Sequence, residues 1–274
     1  MTGTLYVCAT PIGNLSDISE RLRNTLSEVD IVAAEDTRHT QKLLRHLGIQ
    51  KPCISYFSHN EKGHGQVIIN ELLSGKNVAL VSDAGTPAVS DPGEDLVKLC
   101  AKENIPTVPV PGCCAAITAL CVSGLSTGRF VFEGFLPMQK KGRMDRLSEL
   151  RTEKRTIIFY EAPHKLKRTL DDFAETFGRD RKITLCREMT KVFEEICRTT
   201  VGEAAEKYEE VPPKGEFVLV LEGAAEEVVS YEDLSVPEHV ALYEESGLSR
   251  MEAIKKVAKD RDVPKREIYD IIMR

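Results

Sequence analysis

Residues 78–93 read VALVSDAGTPAVSDPG, and this stretch decides the fold class. Val78-Ala79-Leu80-Val81 is a short, wholly apolar run, the pattern of a strand buried on both faces of a parallel sheet. It breaks at Ser82-Asp83-Ala84-Gly85-Thr86-Pro87, where small side chains let the backbone approach a ligand closely. Asp91-Pro92-Gly93-Glu94 then predicts a helix start, with Asp91 as N-cap, Pro92 in the first position and Glu94 three residues after the cap. Strand-to-helix connections usually take about two to six residues; this one is longer and polar without being highly charged. Ligands in open α/β sheets lie beyond the carboxyl ends of the strands. The stretch therefore reads as a ligand loop, with an ordinary connection as the competing reading.

Outward from it, the first part of the chain alternates strand and helix. Strands are expected at 4–9, 30–34, 53–57 and 107–110, and helices at 17–29, 40–47, 67–73, 95–103 and 114–122. That density of alternation means βαβ units and a parallel sheet. The second part differs: 129–136 (RFVFEGFL), 156–160, 182–187, 195–201 and 216–221 read as strands, with helices chiefly at 165–177 and 202–208. Past an acidic segment, Ser249 and Glu252 form a capping box that opens a helix, and Pro264 leads into a last one. The expected fold is α/β: a mostly parallel N-terminal α/β domain (1–124), a mixed-sheet α+β second domain (125–225), and an acidic linker with a small basic helical element (226–274). A helical hairpin of that size cannot bury a core of its own and is expected to pack on the body or a partner.

The 274 residues are 42% hydrophobic, enough for two domains with real cores. No run approaches the ~20 apolar residues of a membrane span. The start MTGTLYVCATPIGN lacks a positive region before its apolar stretch, so no signal peptide is expected and the cytoplasm is the default. The eight cysteines are scattered among apolar neighbours without metal-ligand spacing, which points to buried thiols and no metal. The net charge of −6 does not advertise a polyanion partner, yet it is uneven. Residues 138–155 and the tail from Leu248, with Lys255 and Lys256 at its centre, are basic patches. These suit local contact with a large structured polyanion, and solvated helix faces are the competing reading.

Several chemistries are excluded by absence: there is no G-x-x-x-x-G-K-[ST] loop, G-x-G-x-x-G, H-E-x-x-H or G-x-S-x-G. Three first-domain loops share a design instead, CATPIGNL, VSDAGTPAVSDPG and VPGCCAAI. Each follows an apolar strand, so all three should gather at one sheet edge. The single glycine of the first, flanked by Pro11 and Ile12, suits apolar contact with an adenine or a methionyl-like group more than a pyrophosphate cradle.

The segments TPIGNLSDI, AAEDTRHTQKLL, SHNE, VALVSDAGTPAVSDPG, PGCCAAITAL, FEGFLP, IFYEAPHKL, REMTKVFEE and PKGEFVLVLEG occur in this order. Together they resemble the bacterial 16S rRNA (cytidine-2′-O)-methyltransferases of the tetrapyrrole methylase superfamily, over essentially the whole chain. Where that family usually has Pro-Ser after Pro-Gly, this chain has Cys113-Cys114. The resemblance implies S-adenosyl-L-methionine held between the two domains by Ile12, Asp83, Gly85, Thr86, Ala115, Ala116 and Tyr160, with Gly215 in the segment that closes the site. It implies attack of a ribose 2′-oxygen on the donated methyl group. Asp36, Glu61 and Glu161 stand as unranked candidates for base or orienter, and Arg38 and Arg187 as phosphate contacts. A helix-capping, salt-bridged cluster is the competing reading of Glu35, Asp36 and Arg38, and His59 and His164 read as structural. The implied partner is 16S rRNA in the small ribosomal subunit, met by a homodimer. A tetrapyrrole-precursor methyltransferase and a non-catalytic RNA-binding assembly factor are the alternatives.

Overall fold

The first half of the chain folds as its periodicity predicts: β1 (Leu5–Cys8), α1 (Glu20–Glu28), β2 (Ile31–Ala34), α2 (Thr37–His46), β3 (Cys53–Ser55), α3 (Glu61–Leu73), β4 (Val78–Val81), α4 (Glu94–Lys102), β5 (Thr107–Val110) and α5 (Ala115–Ser123). The structure, a computed structural model, describes residues 1–57, 61–225 and 234–273, the side chains of Glu61 and Lys62 excepted. The five strands form one sheet in the order β3-β2-β4-β1-β5, and every pair is parallel. All four β4 residues are buried, because helices cover both faces. Ile68, Ile69 and Leu72 of α3 and Leu96 of α4 pack on one side; Leu22 and Leu26 of α1 and Leu44 of α2 pack on the other.

Several helix starts differ from expectation: α3 begins at Glu61, six residues before the expected 67, and α2 at Thr37 rather than 40. Residues Leu15–Asp17 form a short 3-10 turn, and α1 begins only after Ser19, whose hydroxyl accepts the Leu22 N–H at 3.1 Å. Asp91 does not cap α4: the N-cap is Gly93, at φ +140° and with no side-chain bond to the helix. A side chain at Gly93 would start 2.9 Å from Leu80 Cδ2. The loop therefore packs closely against Leu80 of β4 at Gly93, and Asp91 is left out of the helix cap.

The second sheet follows in β6 (Phe130–Phe135), α6 (Lys140–Leu150), β7 (Thr156–Glu161), α7 (Pro163–Phe177), β8 (Lys182–Arg187), β9 (Glu195–Thr200), α8 (Val201–Glu210) and β10 (Phe217–Leu221). Its order is β6-β7-β10-β8-β9; β6 and β7 are parallel and the remaining pairs antiparallel. One face is covered by α6, α7 and α8 around Leu147, Phe173 and Tyr208. The other is covered by α5, whose Ala116, Ala119 and Leu120 pack on Ile158, Cys186, Val218 and Val220. Thus α5 follows the first sheet in sequence and belongs to the second in packing.

The basic segment 138–155 contains α6, which apolar periodicity does not announce because one of its buried positions is Arg143. That guanidinium meets Asp172 at 2.5 Å and also donates to the Met138 carbonyl. Arg146 is paired with Glu133 and Glu149, and Arg155 with Glu153. Arg143 is thus withdrawn from the expected basic patch, while Arg146 and Arg155 are held in ion pairs at the surface.

The chain divides into two compact units, Met1–Ala224 and Ala225–Arg274. The second unit has three helices among the described residues: α9 (Val236–Glu245), α10 (Arg250–Asp260) and α11 (Lys265–Ile272). The acidic segment expected as linker supplies α9, opened by the capping box of Ser235 and Glu238. With that third helix the unit closes a core of its own, built from Val240, Ala253, Ile254, Val257, Ala258 and Ile268. A hairpin alone could not have done so. No helix of the described residues is long and apolar enough to cross a membrane.

Candidate active site

Since β1, β4 and β5 are adjacent and parallel, the loops that follow them emerge at one edge of the first sheet. Backbone bonds lock them together. Thr10 and Gly85 exchange N–H···O bonds of 2.8 and 3.1 Å, and the Thr10 hydroxyl donates to the Ser82 carbonyl at 3.3 Å. The Thr86 hydroxyl donates to the Cys113 carbonyl at 3.0 Å. The segment after β2 joins the same frame: the Asp36 N–H donates to Asp83 Oδ1 at 3.1 Å, and the Asp83 N–H to Glu35 Oε2 at 3.4 Å.

Between this frame and the carboxyl ends of β6, β7 and β8 lies a cleft of about 540 Å³, within the ordinary range for small-molecule sites. Ile12, Asp83, Gly85, Thr86, Ala115 and Tyr160 all line it. Ala116 sits just beneath, its N–H donating to the Tyr160 hydroxyl at 3.2 Å; the tyrosine ring is wedged edge-on against Phe132 and Phe135. Burial pushes the Tyr160 phenol up to about 12, so it stays neutral. Gly85 sits at φ +83°, a conformation that glycine tolerates, and a side chain there would meet Ile12 Cγ2 at 3.4 Å. Gly215 adjoins Glu216 and Phe217, which line the opposite wall; at φ +82° it leaves space that the Glu188 side chain fills.

The candidate bases differ in setting. Asp36 is the N-cap of α2, accepts the Arg38 N–H, and is held bidentately by the Arg38 guanidinium at 3.1 and 2.8 Å. That pairing holds its carboxyl down at about 2. The capping, salt-bridged arrangement is thus the one adopted, and Arg38 projects from it almost wholly exposed. Glu161 lines the cleft but is buried, with one oxygen on the Ala162 N–H at 2.8 Å and the other on the Thr169 hydroxyl at 2.6 Å. Glu61 opens α3, its side chain outside the described residues, as is His59. His164 lines the cleft. Arg187 gives its Nε to the Lys214 carbonyl at 2.6 Å and its Nη1 to Glu195 at 3.3 Å. Two of its donors are thus engaged at the end of β8. Lys255 and Lys256 are exposed on α10 of the other unit.

Sequence reasoning missed four charged groups of the cleft: Glu35, Asp91, Glu188 and Lys191. Lys191 bridges Glu188 at 2.9 Å and Glu216 at 2.8 Å, with its stem laid into the space over Gly13. Glu35 is raised above the usual carboxylate range by burial. Asp91 is pushed up to about 6, first by burial and then by the charge of Glu35. The signal for Asp91 was present in SDPG but was absorbed by its reading as a helix cap.

A cationic donor that carries an aromatic base fits this lining. Apolar walls at Ile12, Ala115, Phe135 and Met189 face a carboxylate group at Glu35, Asp83 and Asp91, and the Ala115 N–H at the start of α5 has no acceptor within its own helix.

Comparisons with known proteins agree with the geometry. Residues 4–205 match the family model of tetrapyrrole (corrin/porphyrin) methylases. A ribosomal RNA small subunit methyltransferase I of Halalkalibacterium halodurans is 51% identical over 98% of this chain and 94% of that protein. The protein of the same name from Bacillus subtilis is 49% identical over 98% and 93%. Among solved structures, the methyltransferase CobJ superposes with a TM-score of 0.63 at 16% identity, covering 82% of this chain and 95% of its own, a likeness of fold. The chain belongs to the ribosomal RNA small subunit methyltransferase I family, within the tetrapyrrole methylases.

Proposed function

We propose that this chain methylates the 2′-oxygen of a cytidine ribose in the decoding region of 16S rRNA, with the assembled small ribosomal subunit as its substrate. It is an S-adenosylmethionine-dependent rRNA methyltransferase, and S-adenosylmethionine, when bound, supplies an activated methyl group on a sulfonium that leaves as a neutral thioether. The observation that carries the assignment of the site is the cleft itself: six of the eight residues expected to hold the donor line one cavity, and a seventh hydrogen-bonds to one of them. Ile12, Ala115 and Ala116 would offer apolar and backbone contact, Gly85 and Thr86 fix the loop, Tyr160 braces the start of α5, and Asp83 would supply negative charge to the cationic donor. The acidic side of the cleft favours a positively charged donor over its neutral product, which assists release.

A free 2′-hydroxyl distinguishes RNA from DNA, so substrate class and chemistry agree. What the chain must supply is alignment of the hydroxyl with the methyl group and a place for the hydroxyl proton. Arg38, exposed at the start of α2, and Lys255 and Lys256 on the second unit are the proposed RNA contacts; action as a homodimer in the cytoplasm is what the family likeness implies. The division at 124/125 serves as a functional boundary, with the donor loops on one side and the closing wall on the other. Purified protein with methyl-labelled donor should render small subunits resistant to alkali at one cytidine linkage. Label in a tetrapyrrole precursor instead, or binding of subunits without transfer, would overturn the proposal.

A further inference from the structure

We propose that Lys191 is a positioning residue that ties the donor loop after β1 to the wall built by β8 and β10, and so sets how tightly the cleft holds S-adenosylmethionine; the assignment rests on the reading of the cleft as the donor site. The first support is where the side chain runs. Gly13 directly follows Ile12, which lines the cleft, and sits at φ +143°. A Cβ there would stand 2.4 Å from Lys191 Cγ, 3.1 Å from Cδ and 3.0 Å from Cε. The lysine stem thus lies along the backbone of the first loop, in a space that a glycine leaves open. Beyond the stem, Nζ meets Glu188 Oε1 at 2.9 Å and Glu216 Oε2 at 2.8 Å. Glu188 Oε1 also accepts the Glu216 N–H at 2.9 Å. One side chain therefore joins a loop of the first sheet, the segment after β8 and the residue before β10.

The second support is the backbone that carries it. Glu188 and Thr190 sit in the left-handed region, at φ 48° and 65°, a conformation that non-glycine residues keep where their surroundings enforce it. The enforcement is visible. The Glu188 N–H donates to the Glu216 carbonyl at 2.9 Å and the Lys191 N–H to the Glu188 carbonyl at 3.0 Å. The Thr190 N–H donates to Glu194 Oε2 at 2.6 Å. Between the two strained residues Met189 is buried and lines the cleft; Lys191, two positions on, lines it too and reaches Gly13. Both partners of the ammonium are carboxylates of one wall, so its charge is spent there. What it gives the donor is a loop already in place. Thr10 and Gly85 fix that loop to the first sheet, and Lys191 is the matching tie to the second. A loop held in advance spares the ordering cost that binding would otherwise carry.

The test is titration calorimetry with S-adenosylhomocysteine, joined to steady-state methylation of small subunits. Lys191→Ala should weaken binding about tenfold, the cost of ordering a loop no longer held. The KM for S-adenosylmethionine should rise in step, while kcat at saturating donor stays within about threefold. Lys191→Arg keeps stem and charge and should restore most of the affinity. Gly13→Ala should weaken binding by pushing the stem aside, and far less so in the Lys191→Ala background, where there is no stem to push. The backbone strain at Gly13 is common to both backgrounds and cancels. If Lys191→Ala does not fold, Gly13→Ala alone still reads the contact, and wild-type affinity in it would overturn the assignment. So would wild-type affinity in a folded Lys191→Ala chain, or equal losses from Gly13→Ala in the two backgrounds. Tyr160→Phe separates the two failures: if it weakens binding where Lys191→Ala does not, the fault lies with Lys191 alone. If neither variant moves the affinity, the reading of the cleft as the donor site falls as well.

Discussion

Gly215→Ala is the perturbation whose effect can be worked out most fully. The residue sits at φ +82°, and a methyl group there would lie 2.4 Å from Glu188 Cγ, 2.7 Å from Cδ and 2.8 Å from Oε1. Holding alanine in the left-handed region costs about 1–2 kcal/mol. The glutamate must also swing away. Its Oε1 accepts the Glu216 N–H at 2.9 Å and the Lys191 ammonium at 2.9 Å, so the swing loses about 1 kcal/mol for the first bond and about 0.5 kcal/mol for the second, which is partly exposed. The sum is about 2–4 kcal/mol. Gly48→Ala is the internal control: it follows α2 at φ +71° with nothing within 4 Å of a Cβ, and carries only the conformational part. Urea denaturation, followed by circular dichroism because the chain has no tryptophan, should place Gly215→Ala about 1–2 kcal/mol below Gly48→Ala. Titration calorimetry should show a loss of donor affinity in the first variant only, since Glu188, Lys191 and Glu216 line the cleft. Equal stability of the two variants with unchanged affinity would refute the reasoning: Glu188 would then be free to leave at no cost.

Other outcomes follow from the same geometry. Because Asp91 is raised to about 6 from an ordinary value of about 3.9, its ionisation disfavours the folded state: stability is full below about pH 4 and falls as pH rises through 6. Asp91→Asn should therefore melt higher than wild type at pH 7.5, by about 1–2 kcal/mol after allowance for partial exposure, and equally at pH 4; a lower melt at pH 7.5 would contradict this. Asp172→Ala strands the buried Arg143 guanidinium and should cost about 3–5 kcal/mol in urea denaturation, whereas Arg143→Met with Asp172→Leu should recover most of it. Tyr160→Phe removes the acceptor of the Ala116 N–H and should cost about 1 kcal/mol, seen as a five- to tenfold weaker affinity for S-adenosylhomocysteine.

The sequence carried the strand order of events well and the packing less well. Val78–Val81 reads as a doubly buried parallel strand because four apolar residues have few other uses, and the structure makes it the central strand of the first sheet. The three donor loops were legible for the same reason: each follows such a strand, so topology alone brings them together. Two helices were not. In α6 a buried arginine occupies a core position, which breaks the apolar repeat, and α9 lies in a run whose acidity suggested a solvated linker, although His239 and Val240 are its buried contacts. Asp91 was legible as an aspartate before Pro-Gly, but that it lines the cleft instead of capping α4 goes with Gly93 taking the cap. No local signal carries that. The same holds for Arg187, whose partners, Lys214 and Glu195, are distant or unremarkable in sequence.

The placement of α5 has a consequence for how the cleft comes into being on the ribosome that makes it. The first sheet is complete once Val110 has been synthesised, yet α5 rests its apolar side on Ile158, Cys186, Val218 and Val220. Of these, the last two belong to β10, which enters the second sheet between β7 and β8. A nascent chain shorter than about 220 residues thus has its donor loops but neither the seat for the helix that starts at Ala115 nor a middle for its second sheet. The enzyme's cleft is assembled by the last strand, among the described residues, of the unit that contains it. A chain released before Leu221 would be a folded half with an exposed helix, unable to bind its donor.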